Sequence, residues 1–333
     1  MYTQPPGVFR WLVDVSKWTP SKEEWEFLLS LIPEAESAKV MRFLQEVDRR
    51  RALVSRLLQR RACVEATGVA WSEVRIERTK GAKPFMANKP PAGSGGGMRV
   101  AANWNYNISH EGHYVVLAAE PLCVCGIDVT EPWALRNGTI NGAMRKKQQS
   151  MDEQLRIFRD QLTPSETALI ERFRPDELKM EHAFRKFWSL KEAYTKGRGD
   201  GLGFEFNRCS FRYIGAALES GGGFGLAADR GSVGQPVALA SVVVDGKANK
   251  LWRFYVQPLQ DDHFISVARG SPKEIVDANG AFRASLAEPL AKEKLQAEFE
   301  RPEPPFATKL VSDLLPEASR RKYLEITMRA LRP

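Results

Sequence analysis

The chain has 333 residues, 43% of them hydrophobic, which is enough for one large core or two smaller ones. Lysine and arginine outnumber the acids by 49 to 41, and the net charge of +8 favours an anionic partner of unspecified kind. We expect neither a secretory leader nor a membrane span, because no apolar run is long enough. Four scattered cysteines without metal-ligand spacing suit reduced thiols and a cytosolic protein.

Helical patterns dominate the N-terminal part of the chain. Ser21 and Glu24 form a capping-box pattern ahead of a helix that ends near Leu31. An arginine-rich helix is predicted over residues 36–66, and alternation predicts a strand over 74–78. The buried face of the arginine-rich helix is expected to contain Phe43, Leu44, Val47, Leu53, Val54, Leu57 and Leu58.

The middle of the chain combines a flexible segment with short strands. Residues 90–97 are rich in proline and glycine and predict a mobile surface loop. Two apolar runs, 114–118 and 124–129, predict buried strands separated by a turn.

Helices and then strands follow in the C-terminal half. Helical segments are predicted over 146–173, interrupted where Thr163 caps a new helix and Pro164 begins it. A further helix over 179–196 is expected to end at Gly197. The strand-like segments are 204–206, 237–240, 252–256 and 264–268.

Two further features concern the organisation of the chain. Residues 113–118 and 263–268 have similar sequences, which hints at an internal duplication. After Gly270 the composition shifts to Glu, Lys, Ala and Pro, and we expect a peripheral tail of about two helices without chemistry.

Three short segments offer chemistry. Asp128 ends a buried strand, where a fold can present a carboxylate on a rigid backbone. Glu192 and Lys196 are four residues apart and so share one helix face, although an isolated pair of this kind is usually a weak surface ion pair. Ser109 and His110 precede a strand and offer donors to an anion, but a structural turn explains such a segment equally well.

Taken in order, these segments resemble the motifs of the larger, surfactin-synthetase-activating type of 4'-phosphopantetheinyl transferase. The similarity is greatest to the broad-specificity eukaryotic members related to aminoadipate-semialdehyde dehydrogenase activation. The motifs that carry the resemblance are 107–110, 126–128 and 188–196, with flanking similarity over 78–84 and 201–204. It covers roughly residues 1–270 and leaves the tail outside.

The resemblance implies an α/β (α+β) fold of two duplicated lobes, each with a small antiparallel sheet and a long helix. The lobes would comprise residues 1–122 and 123–270, followed by the tail 271–333. The implied activity is transfer of 4'-phosphopantetheine from coenzyme A to a serine of an apo acyl or peptidyl carrier protein, with release of adenosine 3',5'-bisphosphate. The attacking serine belongs to the carrier, so this chain needs no nucleophile.

The resemblance also implies roles for individual residues. Asp128 and Glu192 would bind Mg²⁺, Glu192 would accept the serine proton, and Lys196 would stabilise charge on the leaving phosphate. Thr130 occupies a position where many relatives have an acid, so a water is expected to complete the metal site. Coenzyme A contacts are expected from Lys39, Arg78, Thr79, Lys83, Asn107, Ser109 and His110, with Lys80 as an alternative to Lys83.

Two other classes of function compete with the transferase. The net charge of +8 and eight tryptophans suit a nucleic-acid-binding protein, but most aromatic residues occupy core-like positions. A catalytically idle binder of coenzyme A or of a carrier protein is disfavoured by the joint presence of Asp128, Glu192 and Lys196. We therefore expect a cytosolic monomer without a nucleic-acid or membrane partner. The carrier stays open among fatty acid synthase, polyketide or peptide synthetases and aminoadipate reductase.

Overall fold

The computed structural model describes residues 5–93, 101–133, 150–214, 238–287 and 289–330. Residues 94–97 of the predicted glycine-rich loop, the predicted helix start at 146–149 and Val237 lie outside these ranges. Among helices in the described ranges, none combines the length and apolar composition that a bilayer crossing requires.

The N-terminal lobe is built on a four-stranded sheet. Its order is β11 (Ala307–Thr308), β1 (Phe9–Asp14), β5 (Tyr114–Glu120) and β4 (Asn105–Glu111). Strands β1, β5 and β4 are antiparallel to their neighbours, whereas β11 runs parallel to β1. A separate hairpin of β2 (Ile76–Arg78) and β3 (Pro84–Met86) lies beside this sheet.

The C-terminal lobe is built on a five-stranded antiparallel sheet. Its order is β6 (Val124–Thr130), β10 (Phe264–Gly270), β9 (Lys247–Pro258), β8 (Ala238–Val244) and β7 (Cys209–Ile214). The predicted strands over 114–118, 124–129, 252–256 and 264–268 are therefore confirmed.

One long helix packs on each sheet. Helix α3 (Glu46–Thr67) contacts β4 and β5, and α6 (Glu177–Arg198) contacts β6 and β10, each helix having 22 residues. This pairing of a small sheet with a long helix in both lobes confirms the predicted duplicated α+β fold. The remaining helices are α1 (Lys22–Ser30), α2 (Glu34–Met41), α4 (Met151–Ile157), α5 (Pro164–Glu171), α7 (Ala281–Ala284), α8 (Lys292–Glu300) and α9 (Glu317–Ala330).

The two predicted helix starts are confirmed in detail. The Ser21 hydroxyl accepts from the Glu24 backbone, and the Glu24 carboxylate accepts from the Ser21 backbone. Thr163 and Glu166 make the same reciprocal pair at the start of α5, with Pro164 as the first helical residue. Each capping box satisfies two donors that would otherwise lack helical partners.

The sequence similarity between 113–118 and 263–268 corresponds to a structural equivalence. The two segments form β5 and β10, each of which pairs with the strand of its sheet that lies at the lobe junction. The rings of His113 and His263, just before these strands, have centroids 6.2 Å apart. The two equivalent strands thus begin side by side where the lobes meet.

Asparagine side chains join the two sheets along an interlobe seam, formed by β4 and β6. Asn105 Oδ1 accepts from the Cys125 backbone at 3.1 Å, and Asn107 Oδ1 accepts from the Ile127 backbone at 2.9 Å. These contacts satisfy backbone donors of β6 that face away from its own sheet. Asn107, expected to contact coenzyme A, therefore has a structural partner through its carbonyl oxygen.

The long arginine-rich helix predicted over 36–66 is wrong in its first part. The structure breaks it between Met41 and Glu46, and Arg49 donates to the Phe43 carbonyl across the break. Since the break resets the helical phase, Phe43, Leu44 and Val47 are 39%, 90% and 40% exposed instead of buried. Farther along, the predicted core residues Leu53, Val54, Leu57 and Leu58 are fully buried.

The predicted end of the helix over 179–196 is also corrected. Helix α6 continues through Gly197 and ends at Gly199, which adopts the left-handed conformation. Gly197 lies against Gly126 of β6, and a Cβ on Gly126 would be only 1.9 Å from the Ala193 carbonyl oxygen. The two glycines let α6 cross β6 closely, which brings the polar face of the helix over Asp128.

The predicted strand at 204–206 is wrong. Phe204 and Glu205 connect two short 3₁₀ turns, Gly201–Gly203 and Phe206–Arg208, and Phe206 begins the second turn. Phe204 and Phe206 are buried against the lobe core and the Glu205 side chain is exposed, so burial alternates without a strand partner.

The tail packs into the molecule instead of lying at its periphery. Strand β11 extends the N-terminal sheet, and α9 packs on α1. Glu303, Phe306 and Leu314 are buried. The tail therefore contributes to the core as well as to the surface.

Candidate active site

Three residues from three elements meet at one end of the interlobe seam. Lys196 of α6 donates to Asp128 Oδ1 at 2.6 Å and to Ser109 Oγ at 3.1 Å. The Ser109 hydroxyl in turn donates to Asp128 Oδ1 at 3.1 Å. The close crossing of α6 over β6 makes this arrangement possible, and it joins both lobes through a single carboxylate.

Glu192 lies one helical turn before Lys196, with 3.9 Å between the carboxylate oxygen and the ammonium. Burial raises the pKa of Glu192, and the negative charge of Asp128 adds to this rise against the effect of Lys196. Burial alone would lower the pKa of Lys196, but the carboxylates of Asp128 and Glu192 outweigh it and raise that pKa. Lys196 is therefore a cation between two acids.

A cleft of about 690 Å³ opens beside this group. Both lobes line it: the N-terminal lobe through Arg78 and Asn107, and the C-terminal lobe through residues of α4, α6 and the 3₁₀ turns. Its apolar lining residues are Ala82, Pro84, Ile108, Ile157, Phe158, Trp188, Leu202, Phe204 and Phe206. A cleft lined by both charged and apolar side chains suits an amphipathic ligand with charged groups.

His110 follows Ser109 on β4, and its side chain is exposed at the surface. Partial desolvation, followed by the positive charges of Arg51, Lys196 and Arg56, lowers the pKa of His110 to about 4. The ring is therefore neutral at pH 7, in a region of positive potential that would attract an anion.

The turn that connects β2 to β3 contains three of the predicted ligand residues. Arg78 is exposed, lines the cleft and donates to the Ala82 carbonyl at 2.9 Å. The buried Thr79 hydroxyl accepts from the Lys83 backbone at 3.1 Å, so it supports the turn. Arg78 is thus an exposed cation in the lining of the cleft.

Lys83, from which a nucleotide contact is expected, belongs to the lining of the cleft. Its side chain is buried, and its ammonium donates to the carbonyls of Cys125 at 2.7 Å and Lys196 at 3.2 Å. Burial lowers the pKa of Lys83 to about 8. The ammonium thus connects the β2–β3 turn to β6 and α6 through hydrogen bonds. Lys80, the alternative nucleotide contact, is exposed.

Lys39 lies apart from the other predicted residues. It is on α2, pairs with Glu36 at 2.6 Å, and has a side chain that is more than half exposed. Glu36 also pairs with Arg56 at 3.2 Å, and Arg56 is one of the cations near His110. Lys39 is therefore connected to the edge of the site through one acid and one arginine.

Sequence reasoning missed a buried ion pair that supports α6. Lys191 and Glu166 are fully buried and 2.9 Å apart. Lys191 also donates to the carbonyls of Phe206 at 2.8 Å and Cys209 at 2.5 Å, which anchors the helix to the cleft lining. A signal was present, because Lys191 lies between Phe187 and Tyr194 on the apolar stripe of the helix.

The donor set at this site suits a divalent cation. Asp128 and Glu192 converge on one cationic group, and the buried Thr130 hydroxyl, on the same face of β6 as Asp128, has no hydrogen-bond partner among the described residues. In the same ranges, groups of three or more potential ligand side chains are absent. Two carboxylates with the remaining positions left to phosphate and water fit Mg²⁺.

Two carboxylates and a lysine beside an interlobe cleft are typical of an enzyme active site that can bind a metal ion and a charged substrate. Comparison with known proteins is more specific. A family model described as "4'-phosphopantetheinyl transferase, N-terminal" matches residues 16–122, and one described as "4'-phosphopantetheinyl transferase superfamily" matches residues 140–220. The chain belongs to the 4'-phosphopantetheinyl transferase superfamily.

Individual relatives agree with this assignment. The L-aminoadipate-semialdehyde dehydrogenase-phosphopantetheinyl transferase of Mus musculus is 29% identical over 263 residues, which is 79% of this chain and 75% of the relative. The human protein of the same name is 28% identical over the same shares. A phosphopantetheinyl transferase of Thraustochytrium sp. is 29% identical over 79% of both chains.

Proposed function

We propose that this protein is a magnesium-dependent transferase that moves 4'-phosphopantetheine from coenzyme A to a serine of an apo carrier protein. The observation that supports it is the meeting of Asp128, Glu192 and Lys196 beside the interlobe cleft in a chain of this superfamily. Each of these side chains suits a distinct part of phosphoryl transfer.

In the proposed reaction, the carrier serine oxygen attacks the phosphorus next to the pantetheine arm. A new P–O bond forms to the serine, and the bond between this phosphorus and the bridging oxygen breaks, so that adenosine 3',5'-bisphosphate leaves with the electron pair. Glu192 accepts the serine proton, for which its raised pKa is favourable. Lys196 is cationic and stabilises charge on the leaving phosphate.

Asp128 and Glu192 would hold Mg²⁺, and the Thr130 hydroxyl is suited to a water in the same region. When bound, the ion would neutralise charge on the diphosphate and favour the ionised form of the nearby carboxylates. Ser109 then orients Asp128 through their hydrogen bond, whether or not Lys196 keeps its contact with that carboxylate.

Residues of the N-terminal lobe would bind the anionic part of coenzyme A. Arg78 and His110 are accessible, and a bound phosphate would raise the low pKa of His110 by supplying a negative charge. Ser109 and Asn107 would contribute polar groups at the seam, and Lys39 would reach only an outlying phosphate. Thr79 and Lys83 would act by shaping the turn that carries Arg78.

The partner would be an acyl or peptidyl carrier protein in its apo form. Carriers of fatty acid synthase, of polyketide or peptide synthetases and of aminoadipate reductase in lysine biosynthesis are all candidates. We propose that the enzyme acts as a monomer in the cytosol, without a nucleic-acid or membrane partner. The net charge of +8 would favour encounter with an acidic carrier surface.

The proposal is tested by incubating the protein with coenzyme A, Mg²⁺ and a panel of apo carriers from these classes. Mass spectrometry should show addition of one phosphopantetheine arm to the carrier serine, and chelation of the metal should abolish it. A protein that binds coenzyme A or a carrier without labelling any member of the panel would support the idle-binder alternative and overturn the proposal.

A further inference from the structure

A second set of charged residues, the rear cluster, lies at the opposite end of the interlobe seam. It consists of Arg10 on β1, Glu120 on β5, Arg269 on β10, and Glu298, Arg301 and Glu303 in the tail. Arg10, Glu120, Arg269 and Glu303 are buried, and the side chain of Arg301 is largely so. The cluster thus combines residues of both lobes with three residues of a tail that neither family model covers.

Glu303 connects the two lobes directly. Its carboxylate accepts from Arg10 of the N-terminal lobe, with one contact at 3.1 Å, and pairs with Arg269 of the C-terminal lobe at 3.4 Å. Glu120 accepts from Arg10 and pairs with Arg269 at 3.4 Å and with Arg301 at 2.6 Å. Two arginines from different lobes therefore share two carboxylates, and the tail supplies one of these.

Without Glu303, the charges at this position would no longer balance. Burial alone would lower the pKa of Arg10, but Glu303 and then Glu120 raise it, which shows how strongly the two carboxylates compensate the buried cation. Removal of Glu303 would leave Glu120 as the one acid shared by Arg10 and Arg269, with Glu298 at 3.6 Å as a further partner of Arg269. Repulsion between the buried cations Arg10 and Arg269 would then favour separation of the two lobes at this end of the seam.

The rear cluster and the candidate active site lie along the same strands. Glu120 pairs with Asn105, four residues before Ser109, and Arg269 pairs with Cys125, three residues before Asp128. At about 3.3 Å per residue, the two groups are about 10 to 13 Å apart along the seam. A small opening at the rear would therefore change the spacing between Ser109 and Asp128.

We propose that Glu303 is a positioning residue that sets the relation between the lobes and thereby the spacing of the coenzyme A site. This inference rests on the proposed function, because coenzyme A would contact Arg78, Ser109 and His110 on one lobe and the acids on the other. A bound diphosphate needs both sides at fixed distances, so a loosened seam would weaken its binding. The tail thus contributes to the site without touching the substrate.

The test compares Glu303→Gln with Leu314→Ala in the full-length chain. Leu314 is a fully buried tail residue that packs into the N-terminal core, so its truncation destabilises the protein without disturbing the seam. Both variants are measured well below their melting temperatures. Coenzyme A affinity is determined by calorimetry with Mg²⁺, and KM for coenzyme A by carrier labelling.

We expect Glu303→Gln to raise Kd and KM for coenzyme A by about tenfold, and Leu314→Ala to change them less than about twofold. Glu303→Asp keeps the negative charge, so its Kd and KM should lie between those of the wild type and of Glu303→Gln. It replaces Glu303→Gln in the test if that variant does not fold. Unchanged Kd and KM in either Glu303 variant, or equal changes in Leu314→Ala, would overturn the inference. Failure of the wild type to label carriers would instead overturn the proposed function.

Discussion

The interlobe seam has a charged group at each end, and the two groups are used in opposite ways. In the rear cluster, the side chains of Arg10, Glu120 and Arg269 are 0% exposed and each has several ionic partners. At the candidate active site, the side chains of Lys196 and Glu192 are 32% and 30% exposed and face a cleft. Several ion pairs to each buried side chain characterise the structural cluster, and partial exposure to a cleft characterises the candidate active site.

The electrostatics of the two ends agree with this difference. At the rear, burial alone would raise the pKa of Glu120, but Arg269, Arg10 and Arg301 together lower it to about 2. At the candidate active site, burial and the negative charge of Asp128 raise the pKa of Glu192, and the positive charge of Lys196 at 3.9 Å does not offset this rise. A carboxylate whose charge is poorly compensated is suited to accept a proton or a metal ion. Four predictions test this contrast.

The largest expected effect is on catalysis at the candidate active site. Glu192→Gln should lower the rate of carrier labelling by about 10²- to 10⁴-fold, because it removes a general base and a metal ligand. The melting temperature should stay close to that of the wild type, since the side chain is partly exposed. Labelling by mass spectrometry and a thermal melt measure the two quantities. Glu171→Gln, on the exposed face of α5, is the control, and wild-type labelling by Glu192→Gln would refute the assignment.

The corresponding change at the rear should affect stability. Glu120→Gln should lower the free energy of unfolding by about 3 to 5 kcal/mol, because it removes the acid shared by three largely buried arginines and leaves an excess of positive charge. Urea denaturation provides the measurement. Glu73→Gln, an exposed acid of the same lobe, should change stability by less than about 0.5 kcal/mol. If Glu120→Gln were as stable as this control, the contrast between the two ends would be lost.

The stability of the rear cluster should also depend on pH. Because Glu120 has a folded-state pKa of about 2, below the value of 4.5 for a free glutamate, its contribution is present above pH 4.5 and is lost as pH falls toward 2. The shift corresponds to about 3 kcal/mol. Denaturation between pH 6 and pH 3 should show the difference between wild type and Glu120→Gln shrinking as acid is added. A constant difference would show that the charge of Glu120 is unimportant.

A smaller effect is expected on the binding of coenzyme A at the candidate active site. Arg78→Ala should raise KM for coenzyme A by about tenfold with little change in kcat, because it removes a charged contact in the bound ground state. Steady-state labelling at varied coenzyme A measures both constants. Arg75→Ala, an exposed neighbour outside the cleft lining, is the matched control. A fall in kcat without a change in KM would place Arg78 in the chemical step instead.

Local sequence patterns determined the features that depend on neighbouring residues. The capping box at Ser21 and the Thr163–Pro164 pair located two helix starts, and apolar runs located β5, β6 and β10. The order of Asp128, Glu192 and Lys196 within short motifs identified the superfamily and the group that the structure brings together. These signals are readable because capping, strand formation and helix-face spacing act over only a few residues.

Tertiary structure decided the features that depend on distant partners. Lys83 resembles a phosphate ligand in the sequence, and only the structure shows that its buried ammonium also donates to two backbone carbonyls beside the cleft. Gly197 resembled a helix terminus, although its close approach to Gly126 keeps it inside α6. Arg10 and Glu303 are 293 residues apart and each resembles a surface charge. Only the folded chain brings such charges together, because the energy of a buried ion depends on partners that no local pattern specifies.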